Sequence, residues 1–328
     1  MSVAARLAVC SVVALITLAA APLIGPIPVD PSAALDPGGE GVDAVILWQI
    51  RVPRVMVAML AGIGLAVGGA AFQALFRNPL ATPYTLGVAS GASFGVAAGV
   101  QLGVIVGAGF GTPLAAFAGA LMAIGVVWLV TELRPDFSST VLLLAGVAMS
   151  FFFSSLILFL QYAATLGDSY RIVRWIMGGL AGVDLRTFLV MSPFVVIGVA
   201  MMAARARELD LLSLGSDIAA SRGVEVLGAR RTVFLAASVM IGGVVAACGP
   251  IGFVGLMAPH AARRLVGADH RALLPGAALM GGAFLVACDT VARTVLAPIE
   301  LPVGILTAFL GGPFFLWVLL RRVARPGG

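Results

Sequence analysis

The chain has 328 residues, 61% of them hydrophobic and 11% charged, with a formal charge of +5 and a mean hydropathy of +1.10. An ordinary soluble domain carries roughly 25% charged residues, so this composition excludes one and points to a polytopic membrane protein. Apolar blocks of about 20 residues, the length that crosses a hydrocarbon core about 30 Å thick, recur from end to end. They are continuously apolar and rich in Gly and Ala rather than alternating, which excludes a membrane β-barrel and leaves an all-α fold.

Ten spans are expected, at about 7–25, 52–75, 85–107, 113–131, 139–162, 187–204, 231–248, 251–265, 272–291 and 300–320, with no soluble domain left over in residues 1–328. The first follows Arg6 and ends in small residues around Ala19 to Ala21, as a secretory leader does. Its removal leaves an odd number of spans, so its retention is expected. The polar stretch 26–50 leads to WQIRVPR, where Arg51 and Arg54 flank Pro53 at the start of the second span and are expected to project together toward the outer surface. Two readings of them stay open, snorkelling anchors and a docking site for the carboxylates of an acidic partner.

The run FRNPLATPYTLGVASGAS, residues 76–93, holds the chain's only asparagine, Asn78, between Arg77 and Pro79, with Pro83 close behind. Two prolines without amide protons and an asparagine suited to turns predict a tight reversal on the inner side. Gly87, Ser90, Gly91, Ala92 and Ser93 then let the next helix approach a neighbour closely. Gln73, Ser90 and Ser93 are candidate polar residues of a path, with hydrogen bonding across helices as the alternative. A second polar stretch, 163–186, carries Arg171, Arg174 and Arg186.

The longest inner segment is 205–230, RARELDLLSLGSDIAASRGVEVLGAR. Ser216 or Asp217 is expected to cap a short helix that runs to about Arg222 and ends at Gly223. A helix this short is not stable alone in water, so it must pack on the underside of the membrane domain or on a separate protein.

With the N-terminus inside, fourteen of the 20 arginines fall on the inner side and six on the outer, which puts both termini in the cytoplasm. There is no lysine. The arginines occur singly or in pairs at loops and helix ends, so topology explains the basic charge and nucleic acid is not an expected partner. Cys10, Cys248 and Cys288 lie in apolar surroundings without metal or redox spacing and read as buried small hydrophobes.

No catalytic centre is expected. His260 in GLMAPHAARR has no second ligand at metal spacing, His270 lies in an inner turn, and there is no Walker loop or G-x-S-x-G elbow. An ion-coupled carrier places an ionisable group near the bilayer centre, whereas Glu132, Asp289 and Glu300 fall near span ends. Asp289 and Arg293, four apart on one helix, can neutralise each other. Energy is therefore expected from a partner, with a self-sufficient proton-coupled secondary transporter as the alternative.

Four runs carry a specific resemblance: RVPRVMVAMLAGIGLAVGGAAFQALFRNPLATPYTLGVASGAS, LGSDIAASRGVEV, GPIGFVGLMAPHAARRLVGADHRALLP and CDTVARTVLAPIELPVGILTAFLGGPFFLWVLLRR. Together, in order and spacing from about residue 45 to the C-terminus, they resemble the FecCD family of permeases, the membrane subunits of type II ABC importers for ferric siderophores, haem and cobalamin. The resemblance implies ten helices per subunit in the cytoplasmic membrane and a homodimer, or a pair of related subunits, with the path at the subunit interface. It implies two ATPase subunits underneath, which hold the ATP and Mg, and a substrate-binding protein on the outer face, with no cofactor or metal on this chain. Leu214, Gly215, Ser216, Asp217, Ile218, Ala219, Ala220, Ser221, Arg222 and Gly223 match the segment that couples to the ATPase. Arg51, Arg54 and Arg293 match positions that meet the binding protein's carboxylates. The implied mechanism is alternating access, and the TPYTLGVASGAS variant is most similar to siderophore permeases.

Overall fold

A computed structural model describes residues 2–82, 84, 87–104, 111–132 and 139–323, without the side chains of 131–132, 139–140, 142, 319 and 321–323. Among the described residues the chain is helix and connection, with no β-strand. In chain order come α1 (Val3–Ala20), the single turn α2 (Val42–Val45), which widens over Ile46–Arg51 and runs into α3 (Val52–Leu75), α4 (Val88–Gln101), α5 (Gly111–Glu132), α6 (Ser139–Ala163) and α7 (Leu166–Ile176). Then follow α8 (Leu185–Ala204), α9 (Ala206–Leu214), α10 (Ser216–Ser221), α11 (Val226–Cys248), α12 (Val254–Val266), α13 (His270–Ala292) and α14 (Val303–Val323). Each of the ten expected spans has its helix. Pro83, Arg134, Arg325 and the side chains of Glu132, Arg321 and Arg322 lie outside the described residues.

The centre is α3, buried at nearly every position from Pro53 to Leu75. A helix apolar on all sides belongs in an interior, and α8, α11, α12 and α13 pack around it. A second group, α4, α5 and α6, joins the first through α11. Lipid offers no hydrophobic drive for helices to associate, so close backbone approach must supply it. Glycines do so here. A Cβ on Gly62 of α3 would overlap the backbone of Gly281 in α13, one on Gly69 would overlap Gly255 in α12, and Gly91 of α4 meets Gly119 of α5 in the same way. By contrast α1 buries only Cys10 and Ala14 and exposes Val9, Val12, Val13, Leu15 and Ile16, as a peripheral lipid-facing helix should.

Among the described residues seven helices are long and apolar enough to cross a membrane, and α14 contributes a shorter apolar stretch, Val303–Val318. The other departures are α4 and α12, of 14 and 13 residues, about 20 Å each at 1.5 Å per residue. Irregular backbone leads into both, and such backbone is tolerated at membrane depth only where protein buries it. Before α12, Gly249 and Ile251 are buried, Gly179 donates its N–H to the Cys248 carbonyl, and Phe253 takes a positive φ of 66° with its ring against Gly311 of α14. Before α4, Gly87 at φ 77° packs on Gly146, Met149 and Ser150 of α6, more than a full turn inside that helix.

The expected tight reversal at 76–93 is therefore corrected in part. Its first half is a turn: Arg77 has φ 49°, and the Asn78 side chain accepts from Leu80 N–H at 2.9 Å. Its second half does not open a full-length helix: Tyr84 and Gly87 both meet α6 near Ser150, and α4 begins at Val88.

Candidate functional site

Polar chemistry collects at the two ends of the bundle. At one end, where α3 begins and α13 finishes, three arginines and two carboxylates form one cluster. Arg54 binds Asp289 through Nε at 3.0 and 3.1 Å and through Nη2 at 2.8 Å, and binds Glu300 through Nη1 at 2.8 and 3.0 Å. Arg293, one turn beyond Asp289, lies 3.7 Å from its other oxygen and donates to the Ala21 carbonyl and, at 3.3 Å, to Thr290 Oγ1. Arg51 donates to the carbonyls of Pro22, Leu23 and Ile27. The carbonyls beyond the end of α1 have no intrahelical donors, and these two arginines supply them. The cluster thus pins α1 to α3 and α13.

This corrects the expectation that Arg51 and Arg54 project outward: they are 5% and 8% exposed, and Arg293 is 2% exposed. Arg54 and Arg293 meet the chain's own carboxylates and Arg51 meets backbone carbonyls, so they are not snorkelling side chains. The expected neutralisation of Asp289 by Arg293 is present, with Arg54 the closer partner.

Accessible cations at this end are Arg186 at the start of α8 and Arg171 and Arg174 on α7. Thr165 caps that helix by accepting from Asp168 N–H, and Ile172 buries it. Arg171 is 65% exposed and lies 3.6 Å from Asp168. It shares a cleft of about 320 Å³ with Arg174, Trp175, Arg54 and Glu300. Beside it, a cleft of about 410 Å³ is lined by Trp175, Asp184, Arg186 and Thr187. Asp184 and Thr187 form a reciprocal cap on α8. Bonds from the Thr187 hydroxyl and amide hold the Asp184 carboxyl below its ordinary value.

At the opposite end α9 and α10 fold under the bundle. The expected short helix is present as Ser216–Ser221, between Gly215 at φ 136° and Gly223 at φ 81°. Its expected side-chain cap is not: no side chain caps it, and Ser216 Oγ instead accepts from Arg230 Nη2 at 2.8 Å. Ala219 is buried with Leu212 and Ala229, so the helix does pack on its own chain. Its other face is open. Ile218 is 45% exposed and Leu214, the last residue of α9, is 62% exposed, and Asp217, Ala220, Ser221 and Arg222 are exposed with them.

The candidate path residues do not come together. Gln73 is 4% exposed and bonds across helices to the Gly255 carbonyl at 3.2 Å. Ser93, also 4% exposed, bonds back to the Ala89 carbonyl. Gln73 thus makes the cross-helix bond that was the alternative to path lining, while Ser90 is half-buried and bonds to the Gly87 carbonyl. Cys10, Cys248 and Cys288 are free and buried, as expected. His260 lies edge-on to Phe314. Among the described residues no group of three or more His, Cys, Asp or Glu side chains could hold a metal ion.

Three pairings escaped sequence reasoning, Arg54 with Asp289, Arg54 with Glu300 and Asp210 with His270, which are 235, 246 and 60 residues apart. None has a local signal beyond an isolated charge beside an apolar run.

The sequence profile of the FecCD transport family matches residues 12–321. The chain belongs to that family. Among its FecCD-family relatives, hemin transport system permease protein HmuU of Yersinia pestis is 40% identical over 286 residues, 86% of this chain and 85% of the relative. Vitamin B12 import system permease protein BtuC of Escherichia coli O157:H7 is 39% identical over 293 residues, 89% and 88% of the two chains. The fold matches an inward-facing conformation of a metal-chelate type ABC transporter with a TM-score of 0.86 at 31% identity, over 96% of this chain and 98% of that one. PsaBC from Streptococcus pneumoniae shares the fold more distantly, with a TM-score of 0.53 at 14% identity over 80% and 88% of the two chains. This FecCD-family chain is accordingly an ABC transporter permease, a transmembrane transport subunit.

Proposed function

We propose that this chain is the permease of an ATP-driven, binding-protein-dependent importer for a bulky metal chelate, with a ferric siderophore as the first candidate cargo and haem and cobalamin as the others. The observation that carries the reading is the end-to-end match to a metal-chelate type transporter, with haem and vitamin B12 permeases at about equal distance in sequence. Two copies, or this chain and a related one, pair around the path. The α9–α10 end faces the cytoplasm with both termini, and the open side of α10 at Ile218, with Leu214 at the end of α9, receives an ATPase subunit. The arginine end faces outward, and Arg171 and Arg174, in place of the buried Arg51, Arg54 and Arg293, meet carboxylates of the binding protein. ATP binding closes the ATPase pair, α10 moves with it, and the paired permeases exchange outward and inward openings. Small residues at the α3–α13 and α4–α5 crossings suit such sliding.

The test is mild-detergent purification of the tagged chain from its host grown under iron limitation, with co-purifying proteins and bound chelates identified by mass spectrometry. Recovery of an ATPase supports the importer. Repeated recovery of the intact chain alone, under conditions that preserve a known ABC importer, contradicts it.

A further inference from the structure

The coupling helix α10 reaches the rest of the chain mainly through α9. With nine residues α9 is too short to hold its own position, so tertiary fasteners decide where it sits. Three are apolar: Ala206, Leu209 and Leu212 are buried at 5%, 0% and 1% exposure. Apolar contacts choose which face of α9 turns inward, yet they are non-directional and permit sliding. The fourth is directional. Asp210 Oδ1 accepts from the backbone N–H of His270 at 2.9 Å and lies 2.6 Å from its ring Nδ1. A carboxylate only accepts, so Nδ1 carries the hydrogen, and a single Asp210 oxygen holds both the first amide of α13 and the side chain attached to it. The carboxylate therefore also sits where the positive end of the α13 dipole favours an anion.

His270 is spent on this contact. It is 3% exposed, and its Nε2 is buried with no hydrogen-bond partner, an arrangement that a ring serving only to fill space does not need. Asp269 completes the junction by accepting from Arg271 N–H at 2.8 Å.

From this junction α13 runs as one helix, with Pro275 in its second turn, about 29 Å to Asp289 in the Arg54 cluster. On the way its glycines lock against α3: Gly281 meets Gly62, and Gly282 meets Met59. A displacement of α9 along the membrane surface is thus handed to a rod anchored at both ends.

We propose that the Asp210–His270 contact is the fastener that transmits movement of α9 and α10 into α13, which makes both residues positioning residues for coupling between ATP hydrolysis and transport. The inference rests on the importer reading. It assigns neither residue a contact with cargo or nucleotide.

The experiment uses the complete transporter purified from its host and reconstituted in liposomes, with two readouts in one preparation. One is uptake per ATP hydrolysed, with ferrichrome, haemin and cyanocobalamin as probes. The other is the spin-label distance between Ser213→Cys on α9 and Ala268→Cys just before α13, with and without ATP. His270→Leu removes the donor at similar volume, and Asp210→Ala removes the acceptor at a site one-third exposed, so it serves if the first variant fails to fold. His270→Asn keeps an N–H near the Nδ1 position. The expected result is ATP hydrolysis retained, uptake per ATP reduced about tenfold, within the usual range of coupling between sites, and a broadened 213–268 distance in His270→Leu and Asp210→Ala, with both restored in His270→Asn. Wild-type stoichiometry and distance in His270→Leu and Asp210→Ala overturn the assignment, as does a loss that His270→Asn fails to restore. A wild-type transporter that hydrolyses ATP without taking up any probe counts against the importer reading, and the distance readout still decides whether the fastener exists.

Discussion

Replacing Asp289 by Asn removes one charge from a cluster that holds three arginines against two carboxylates. Asp289 is 1% exposed and receives three hydrogen bonds from Arg54 at 2.8 to 3.1 Å, with Arg293 at 3.7 Å. After the change Arg54 keeps Glu300, which is 37% exposed on its side chain, as its only carboxylate, and Arg293 keeps none. Breaking a buried pair by removing one partner costs about 3–5 kcal/mol, because a desolvated charge is left behind. The double variant Arg54→Met/Asp289→Asn removes both charges and should lose about 2 kcal/mol less than the sum of the two single losses, a coupling of the size expected for residues in direct contact. Unfolding by sodium dodecyl sulfate in mixed micelles, followed by tryptophan fluorescence, measures the wild type, Arg54→Met, Asp289→Asn and the double variant. A loss within about 0.5 kcal/mol in Asp289→Asn, the range of an unremarkable surface substitution, or simple additivity in the double variant, refutes the cluster as a structural clamp.

Three further outcomes are expected. Arg171→Glu/Arg174→Glu raises the Kd for the binding protein at least about tenfold at unchanged stability, because like charges then face each other across the contact; an unchanged Kd removes α7 from that contact. Leu214→Asp/Ile218→Asp inserts normally but loses the ATPase on purification, since apolar residues at the centre of an interface are each worth about 2 kcal/mol or more; retention of the ATPase refutes the docking face. Asp184→Ala destabilises the chain by about 1 kcal/mol through loss of the α8 cap. Because folding lowers the Asp184 pKa, its contribution is complete above the unfolded value of about 3.9 and disappears as pH falls through the lower folded value. A denaturation series from pH 7 to pH 2 that shows the variant's deficit unchanged at the acid end contradicts that cap.

The spans were legible because lipid imposes a length and an apolar run on every crossing, whereas the central place of α3 was not, since the peripheral α1 is as apolar. The short inner helix was legible from Gly223, whose positive φ follows its end, although the expected cap at Ser216 or Asp217 is not formed. What sequence reasoning placed wrongly depended on partners far along the chain. Arg51 and Arg54 look like surface cations next to Pro53, and only the approach of Asp289, Glu300 and the carbonyls beyond α1 makes them interior groups. For Gln73 the choice between path and cross-helix bond stayed open in the sequence because the Gly255 carbonyl it meets is 182 residues away. The late starts of α4 and α12 were hidden because an extended apolar stretch and a helical one have the same composition, and the positive φ of Gly87 and Phe253 is a tertiary outcome.

The central claim is tested most directly by reconstituting the purified permease with its co-purifying ATPase in liposomes, ATP enclosed on the ATPase side, and adding binding protein loaded with radiolabelled ferric siderophore, haem or cobalamin outside. Uptake of one of these that requires ATP and the binding protein, and that survives collapse of the proton gradient, is the predicted result. Uptake by the permease alone that vanishes with the proton gradient would contradict the account and make this chain a secondary carrier.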